Sequence, residues 1–390
     1  MGVLVMSLKQ TARIISTYTG DTSGVCSAFY ELGGMTVMHD ASGCNSTYNT
    51  HDEPRWYDMD SLVFISALSE TEAILGDDEK LIEDTVRSAR ELNPAFIALA
   101  GTPIPMMTGV DFEAVARQIE EECGIPAFGF DTDGMHSYTA GASKALGAIA
   151  RRFVREADNK DPALSVNLLG LTPLDFSVTG TERTMKKVFE GAGIPVRASW
   201  AMGSTLEDLA ASAMAHVNVV VSSAGIGAAK VLRERFGIPY VVGTPCGKRF
   251  NERLVRAVRE SARDGECRVL PVSDPAARRL VIGEGVTAAS LASALTLETG
   301  IPTRAVCATD GFGELSRMQV PQATDEDDLL PLMEGAEVVI ADPLYRPIVP
   351  GSARFVPLPH EGFSGRIWRR DIPDLAADLT RFIDSNGLTR

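Results

Sequence analysis

At 390 residues, the chain is too long for a single hydrophobic core and has the length expected for two or three domains. Its composition, 45% apolar and 23% charged, is that of a folded globular protein and argues against a disordered or fibrous one. The net charge of -15, with basic residues scattered among acids, argues against a nucleic-acid-binding surface, which needs clustered Lys and Arg.

The N-terminal part of the chain, residues 1–160, is predicted to be a cluster-binding α/β domain. From about residue 60 onward, short β-branched apolar runs alternate with longer amphipathic stretches, the pattern of parallel strands joined by helices. The predicted elements of this part are strands at 62–67 and 96–100 and helices at 77–92 and 111–123. An apparent strand also begins near Met35.

The same alternation continues in a middle domain, 161–270, and a C-terminal domain, 271–390. The predicted middle elements are strands at 165–169, 196–200, 217–222 and 240–242 and helices at 182–190, 206–214 and 228–236. The predicted C-terminal elements are strands at 280–282 and 338–341 and helices at 288–299 and 375–383. Residues 343–365 are rich in Pro, Gly and Arg, so we expect them to lack regular structure and to be long enough to line a cavity.

The phrase Gly-Ile-Pro supports this pattern, because each of its four occurrences lies where a predicted helix is followed by a strand. Its glycines stand at 124, 193, 237 and 300. Gly supplies a left-handed helix cap and Pro prevents the helix from continuing. We therefore predict an α/β fold of three doubly wound, Rossmann-like domains with parallel sheets around a central cleft, whose ligands bind at the carboxyl ends of the strands.

Two cysteines stand out among the six because each lies among small residues. Cys26 follows Gly24, and Cys44 follows Gly43 after an apparent strand. Cysteines in such loops are poor candidates for core packing, and glycines let a metal cluster approach the backbone closely. The alternative is that both thiols are incidental; with no C-x-x-C pair, a disulfide framework is not expected.

A four-iron cluster normally takes four thiolates, whereas this pair supplies two. Two chains facing each other across a twofold axis would complete the set. The count therefore predicts a [4Fe-4S] cluster shared across a homodimer, or across a heterodimer with a related chain. The absence of a secretory signal and of a long apolar run predicts a cytoplasmic protein that binds no membrane.

Several phrases resemble the nitrogenase component 1 type oxidoreductase family. Residues 69–81, Ser-Glu-Thr-Glu-Ala-Ile-Leu-Gly-Asp-Asp-Glu-Lys-Leu, resemble the phrase that follows the second cluster cysteine in the family. Residues 109–115, Gly-Val-Asp-Phe-Glu-Ala-Val, resemble the family's Gly-Asp-Asp-Ile-Glu-Ala-Val, and 200–207 and 236–239 fall where similar phrases occur. The resemblance implies an electron-accepting catalytic subunit that is not itself a nitrogenase.

The resemblance also assigns individual residues. Cys26 and Cys44 match the first two of three cysteines that hold the interfacial cluster, and Thr102 stands where the third is expected. An eight-iron cluster is therefore not expected. Ser222 and Ser223 stand where a cysteine would hold an active-site cofactor, so a stable molybdenum-iron cofactor is not expected either. His360 resembles the family's cofactor histidine, and without that cysteine its role becomes substrate contact or proton delivery; the alternative is an ordinary loop histidine.

Other polar groups give weaker signals. His51, Asp52, Glu53 and Arg55 form one polar loop after Cys44, which either donates protons beside the cluster or, as we favour, forms a solvated surface turn. The remaining residues weighed are His136, predicted at a helix start, His39 and His216, predicted to be structural, and Cys246, an alternative ligand. Gly283-Glu284-Gly285 opens a predicted helix as a dinucleotide-binding fingerprint would, but glycine turns follow all the predicted strands.

No P-loop motif is present, so the resemblance implies that ATP is used by a separate iron-protein reductase that docks transiently. The leading hypothesis is a reductase that passes electrons from this partner, through the interfacial cluster, to a small substrate in the cleft. A second hypothesis is an assembly scaffold for a cluster or cofactor, without turnover of its own. A third is a small-molecule-binding protein without a metal.

Overall fold

A computed structural model describes residues 12–15, 19–41, 48 and 52–389. Within these residues the framework consists of three β-sheets, and every pairing between neighbouring strands is parallel. The α/β class and the three parallel sheets are as predicted. Each sheet draws its strands from one of the three predicted domains, while the exact boundaries between the domains stay a prediction.

The first unit contains, in its described residues, a four-stranded sheet and six helices. Its strands are β1 (Met35–Met38), β2 (Leu62–Ile65), β3 (Ile97–Ala100) and β4 (Ala127–Phe130). Its helices are α1 (Asp21–Phe29), α2 (Glu70–Leu75), α3 (Glu79–Leu92), α4 (Pro103–Thr108), α5 (Phe112–Cys123) and α6 (Tyr138–Arg152). The strand order is β2-β1-β3-β4, so β2 and β4 form the edges.

The second unit contains a five-stranded sheet. Its strands are β5 (Val166–Leu169), β6 (Val196–Ser199), β7 (Val217–Val220), β8 (Tyr240–Val242) and β9 (Arg268–Val269). Its helices are α7 (Pro173–Phe176), α8 (Thr181–Glu190), α9 (Leu206–Ala210), α10 (Ile226–Phe236) and α11 (Lys248–Asp264), with 3-10 turns at Ser212–Met214 and Ser223–Gly225. The strand order is β6-β5-β7-β8-β9.

The third unit contains a four-stranded sheet. Its strands are β10 (Arg279–Gly283), β11 (Thr303–Cys307), β12 (Val338–Ala341) and β13 (Arg354–Pro357). Its helices are α12 (Gly285–Thr299), α13 (Leu315–Met318), α14 (Glu326–Met333), α15 (Glu361–Ser364) and α16 (Leu375–Ser385), with 3-10 turns at Pro343–Ile348 and Gly365–Asp371. The strand order is β11-β10-β12-β13.

Most central strands are buried along their whole length, as expected for parallel sheets covered by helices on both faces. β3, β5, β7 and β10 contain only buried residues. The Gly-Ile-Pro prediction is confirmed by backbone geometry, because all four glycines have φ between 67° and 75°. Among the described residues, no helix is long and apolar enough to cross a membrane.

Two local predictions are wrong. Cys26 and Gly24 lie in helix α1 and not in a loop. Glycine at position 24 allows α1 to pack directly on α6, since a Cβ there would lie 2.0 Å from the Tyr138 carbonyl oxygen. Residues 343–365 also contain regular structure, including β13, which pairs with β12 at the edge of the third sheet.

Candidate functional site

Acidic and imidazole side chains gather where strands of the second and third sheets end. Asp175 lies in α7, just after β5, and Glu284 directly follows β10. Asp342 directly follows β12, and His360 follows β13 by three residues. The carboxyl ends of parallel strands form the ligand-binding edge of an open α/β sheet, so these residues mark a candidate site.

Asp175 is a buried carboxyl group that reaches toward the first unit. The Tyr138 hydroxyl, at the start of α6, donates a hydrogen bond to Asp175 Oδ1 at 2.6 Å, and Thr172 Oγ1 donates to Oδ2 at 2.7 Å. Burial, followed by the negative charge of Glu284, raises the pKa of Asp175. Asp175 therefore retains a proton at higher pH than an exposed aspartate does.

Glu284 caps the first turn of α12 from a fully buried position. Its carboxylate accepts hydrogen bonds from the amides of Ser223 at 3.0 Å, Val286 at 3.0 Å and Thr287 at 2.9 Å. A dinucleotide pyrophosphate at this helix would need these amides and would meet a buried negative charge. This geometry argues against the nicotinamide or flavin interpretation of Gly283-Glu284-Gly285.

His360 is held through its backbone and one ring nitrogen. Its amide donates to Asp342 Oδ2 at 2.7 Å, and its Nδ1 accepts from the Gly362 amide at 3.2 Å. The neutral ring therefore carries its proton on Nε2, which lies 3.7 Å from Asp175 Oδ1 and has no hydrogen-bond partner within the described chain. Burial lowers the pKa of His360 to about 3, so the ring is neutral at physiological pH.

A cavity of about 90 Å³ lies beside these groups, between the second and third units. Its lining is mostly apolar and includes Phe176, Met185, Cys246, Val281, Leu291, Leu358, His360 and Phe363, together with Asp175 and Asp342. Burial raises the pKa of Asp342 to about 6. The wall thus combines a neutral imidazole with carboxyl groups that hold protons more strongly than usual, a combination suited to general acid chemistry on an uncharged ligand.

Cys26, the described member of the predicted cysteine pair, lies in α1. It is fully buried and packs with Met38, at the end of β1, and with Tyr48. Val63 and Ile65 of β2, which are only partly buried, pack against this cluster. Burial, followed by the charge of Glu53, raises the pKa of the Cys26 thiol. Cys44 and Gly43 lie outside the described residues, so their part of the prediction stays a prediction.

The polar loop after Cys44 is buried, so the prediction of a solvated surface turn is wrong. The described members Asp52, Glu53 and Arg55 are 7%, 3% and 4% exposed, and His51 lies outside the described part. Ser23 Oγ donates to Asp52 Oδ2 at 2.7 Å, and burial raises the pKa of Asp52 to about 7. Asp52 therefore contacts α1 at Ser23, one helical turn before Cys26, and binds its proton more strongly than an exposed aspartate does.

Arg55 ties this loop to both α1 and the second unit. Its guanidinium donates to Glu53 Oε1 at 2.7 Å and Oε2 at 3.0 Å, and to Glu31 Oε1 at 2.8 Å. It also donates to the carbonyl oxygens of Ser27 at 2.8 Å and Ala201 at 3.0 Å. The bidentate geometry fixes the loop beside the helix that carries Cys26.

The residues that depart from the family pattern have structural hydrogen bonds. Thr102 Oγ1 donates to the His39 carbonyl at 2.8 Å, and Ser222 Oγ donates to the Gly170 carbonyl at 2.7 Å. Both hydroxyls are buried, so these hydrogen bonds satisfy their donors away from water. Cys246 is buried in the cavity wall, which keeps it as an alternative ligand.

The other histidines lie away from the cavity. His39 Nδ1 lies 2.8 Å from Ser66 Oγ, and His216 Nδ1 accepts from the Ser165 amide at 3.2 Å, which fits the structural roles predicted for both. His136 is largely exposed and precedes Ser137, the N-cap residue of α6, so it lies next to the predicted helix start.

Sequence reasoning did not place Tyr138, Asp175, Glu284 or Asp342 at this site, although Glu284 was weighed as part of Gly283-Glu284-Gly285. Glu284 and Asp342 carried a usable signal, because each lies within two residues of the end of a predicted apolar strand. Tyr138 carried none, since it belongs to the first unit and meets Asp175 only through the tertiary fold.

The chain is similar to several characterised proteins. It is 28% identical over 200 residues to the nitrogenase iron-molybdenum cofactor biosynthesis protein NifE of Sinorhizobium fredii, a match that covers 50% of this chain and 39% of that protein. It is 23% identical over 203 residues to the nitrogenase molybdenum-iron protein alpha chain of Methanosarcina barkeri, covering 51% and 37%. It is 35% identical over 115 residues to one subunit of the light-independent protochlorophyllide reductase of Prosthecochloris aestuarii, covering 28% and 21%. Each match thus spans less than two thirds of the relative's length.

The fold is also that of a solved nitrogenase structure. Nitrogenase Cp1 at pH 6.5 superposes with a TM-score of 0.69 at 15% identity, over 98% of this chain and 94% of that one. A sequence model of the nitrogenase component 1 type oxidoreductases matches residues 23–337, which include Cys26, Asp175 and Glu284. With the family model covering most of its length, this chain belongs to the nitrogenase component 1 type oxidoreductase family.

Proposed function

We propose that this chain is a nitrogenase-like reductase subunit that receives electrons from a separate ATP-dependent iron-sulfur reductase and reduces a small substrate in the cavity between its second and third units. The observation that carries the proposal is the position of His360 Nε2–H, which has no hydrogen-bond partner among the described residues, beside the buried Asp175 carboxyl group at the cavity wall. A reduction consumes protons as well as electrons, and these two groups are placed to supply a proton or a hydrogen bond to a bound molecule.

His360, Asp175 and Tyr138 have separate roles in this proposal. His360 contacts the substrate, and its neutral Nε2–H acts as a hydrogen-bond donor at physiological pH. The Asp175 carboxyl group, which binds its proton more strongly than an exposed aspartate does, lies 3.7 Å from that nitrogen and is oriented by Tyr138. The apolar lining excludes bulk water, which strengthens each of these polar interactions.

In this proposal, Cys26 holds part of the cluster. Cys26 lies near the carboxyl ends of β1 and β2, and the chain continues from β1 toward Cys44. Cys26 and Cys44 supply two thiolates to a cluster that takes four, so a [4Fe-4S] site on this pair would be completed by a second chain, identical or related. A bound cluster supplies storage of single electrons; the buried Asp52 beside α1 would keep a proton nearby.

Iron binding tests the redox part of the proposal. We expect anaerobically purified or reconstituted wild-type protein to contain about two irons per chain, as half of a shared four-iron cluster. The reduced protein should give an electron paramagnetic resonance signal that is absent in Cys26→Ala and Cys44→Ala. Cys123→Ala is the matched control, because Cys123 closes α5 on the far side of the first sheet. A colourless, iron-free wild-type protein would contradict the proposal.

A second candidate function is an assembly scaffold for a cluster or cofactor, favoured by the similarity to a cofactor biosynthesis protein. A scaffold releases its cargo to an acceptor, whereas a reductase keeps its cluster through repeated oxidation and reduction. The two are separated by incubating the iron-loaded protein with an apo-protein acceptor and measuring which partner carries the iron. Quantitative transfer favours the scaffold, and retention with reversible reduction favours the reductase.

A further inference from the structure

The cavity between the second and third units limits the size of the molecule that it can hold. Its volume is about 90 Å³, whereas an apolar cavity of about 150 Å³ is needed to hold benzene. At the same volume per atom, this cavity holds about four non-hydrogen atoms. A larger molecule would have to displace side chains of the helices that close the cavity, such as Met185 of α8 and Leu375 of α16, and closely packed side chains resist displacement.

The charges of the cavity wall oppose an anionic ligand. Among the described residues that line the cavity, none is Lys or Arg, and two are the acids Asp175 and Asp342. His360 gives no positive charge either, because burial lowers the pKa of its imidazole to about 3. An anion in this cavity would lose its hydration without gaining a positive partner, so its binding is strongly disfavoured.

The two carboxyl groups are already bound by the protein itself. Asp342 Oδ1 accepts a hydrogen bond from the Leu344 amide at 2.8 Å. Asp342 Oδ2 accepts from the His360 amide at 2.7 Å and from the Ser364 hydroxyl at 2.8 Å. Asp175 likewise accepts a hydrogen bond on each of its oxygens. A cationic ligand would have to compete with these donors and would lose its own hydration, so the wall disfavours cations as well.

The His360 ring remains available to a ligand. Its Nε2–H has no hydrogen-bond partner within the described residues. The threonine hydroxyls of the wall are occupied, since Thr244 donates to the Val221 carbonyl at 2.6 Å and Thr287 donates to the Glu284 carbonyl at 3.1 Å. The cavity therefore presents an imidazole N–H donor in surroundings that are otherwise mostly apolar, and a buried donor of this kind is stabilised by an acceptor on the ligand.

We propose that the substrates of this cavity are uncharged molecules of about four non-hydrogen atoms that carry one hydrogen-bond acceptor for His360 Nε2–H. This substrate class rests on the proposed function, which makes the cavity the place of reduction. The hydrogen bond holds the acceptor end of the molecule beside His360 and Asp175, and the remaining atoms contact the apolar side chains of the wall. The class excludes carboxylates, phosphates and ammonium compounds.

Four probes with the same planar skeleton test the charge and the acceptor separately. Acetone is uncharged and has one acceptor, isobutene has no acceptor, acetate is an anion and acetamidinium is a cation. Ligand-observed NMR measures their binding to the full chain, purified under anaerobic conditions, at about pH 7. We expect acetone to bind with a dissociation constant in the millimolar range, and each ion to bind at least about 30-fold more weakly. Equal or tighter binding of either ion overturns the inference.

A substitution on α16 shows whether acetone binds in this cavity. Ala376 lines the cavity and is only partly buried, so a leucine there can fill space without rearranging the core. Its three added carbons would occupy most of the volume, so Ala376→Leu should abolish acetone binding. Ala377→Leu is the matched control, because Ala377 is an exposed residue of the same helix and its substitution should leave acetone binding unchanged. Unchanged acetone binding in Ala376→Leu refutes the inference.

His360→Phe tests the hydrogen bond to the acceptor. This variant removes Nε2–H but keeps an aromatic ring, so acetone should lose about 3–10-fold in affinity relative to isobutene, which has no acceptor. Both probes are compared in the same protein, so a change in overall stability affects them equally. The same ratio of acetone to isobutene affinity in wild type and His360→Phe contradicts the contact.

Iron content, measured in the same samples, separates this inference from the proposed function, because acetone binding requires neither a cluster nor an electron donor. A protein that binds acetone as expected but stays iron-free after reconstitution supports the ligand class and refutes the reductase. A protein that holds reducible iron but binds none of the four probes retains the reductase and refutes the ligand class.

Discussion

Arg55 is the residue whose loss should cost the first unit most. Its side chain is 5% exposed and that of Glu53 is not exposed at all, so Arg55→Met would leave a buried carboxylate without its cation. It would also remove the donors to the Ser27 and Ala201 carbonyls. Breaking a buried ion pair from one side costs about 3–5 kcal/mol. We therefore expect the free energy of unfolding to fall by about this amount.

Urea unfolding followed by circular dichroism measures this effect. For a slope of roughly 3 kcal/mol per molar urea, the midpoint should fall by about 1–1.7 M. Arg278→Met is the control, because the Arg278–Glu337 pair is similarly short, at 2.6 Å, but its side chains are 67% and 60% exposed. An exposed pair of this kind contributes about 1 kcal/mol or less.

Two further variants separate charge from geometry at this position. Arg55→Lys keeps the charge but not the planar fork, so it should lose part of the stability. Glu53→Gln combined with Arg55→Met should recover part of the loss, because the uncompensated charge is gone. If Arg55→Met unfolds within about 1 kcal/mol of wild type, the buried network does not stabilise this region.

Three other substitutions test the packing and the cavity wall. Gly24→Ala should lower the free energy of unfolding by about 2 kcal/mol or more in the same urea assay, because the new Cβ would overlap the Tyr138 carbonyl oxygen. Gly313→Ala is the control and should be near neutral, because no atom lies within 4 Å of a Cβ at that position. Tyr138→Phe should cost about 1–3 kcal/mol through the lost hydrogen bond to Asp175, and an unchanged midpoint would refute that role. Burial raises the pKa of Asp342 to about 6, so its stabilising contribution is complete below about pH 4 and is lost as the pH rises through 6. The free energy of unfolding should therefore fall less between about pH 4 and 7 in Asp342→Asn than in wild type, and equal slopes would contradict the shift.

The sheets could be predicted because a parallel strand that is buried on both faces has a continuous run of apolar residues in its sequence. Val217–Val220 and Val338–Ala341 are examples, and both are predicted to within two residues. α1 is not predictable because Thr22-Ser-Gly-Val-Cys-Ser has weak helix propensity, and its helix is stabilised by close contact with α6 rather than by local preference. β13 escapes prediction because it is a short edge strand that ends in proline.

The candidate site was predictable only in part, for a physical reason. His360 is found through the family resemblance, but its neighbours come from three units that meet only in the folded chain. The charged residues at 52–55 favour an exposed loop when only the sequence is considered. The structure buries these residues because Glu53 and Arg55 neutralise each other, a pairing that composition alone does not reveal.

The contact between α1 and α6 has a mechanical consequence. Gly24 and Gly141 bring the two backbones together, since a Cβ on Gly141 would lie 1.9 Å from the Asp21 carbonyl oxygen. Helices that touch without intervening side chains cannot slide or rotate past each other without a steric collision. Cys26 on α1 and Tyr138 at the start of α6 therefore move as a single body. Because Tyr138 is hydrogen-bonded to Asp175, the distance from the Cys26 thiol to this acid of the cavity wall is set by the polypeptide itself.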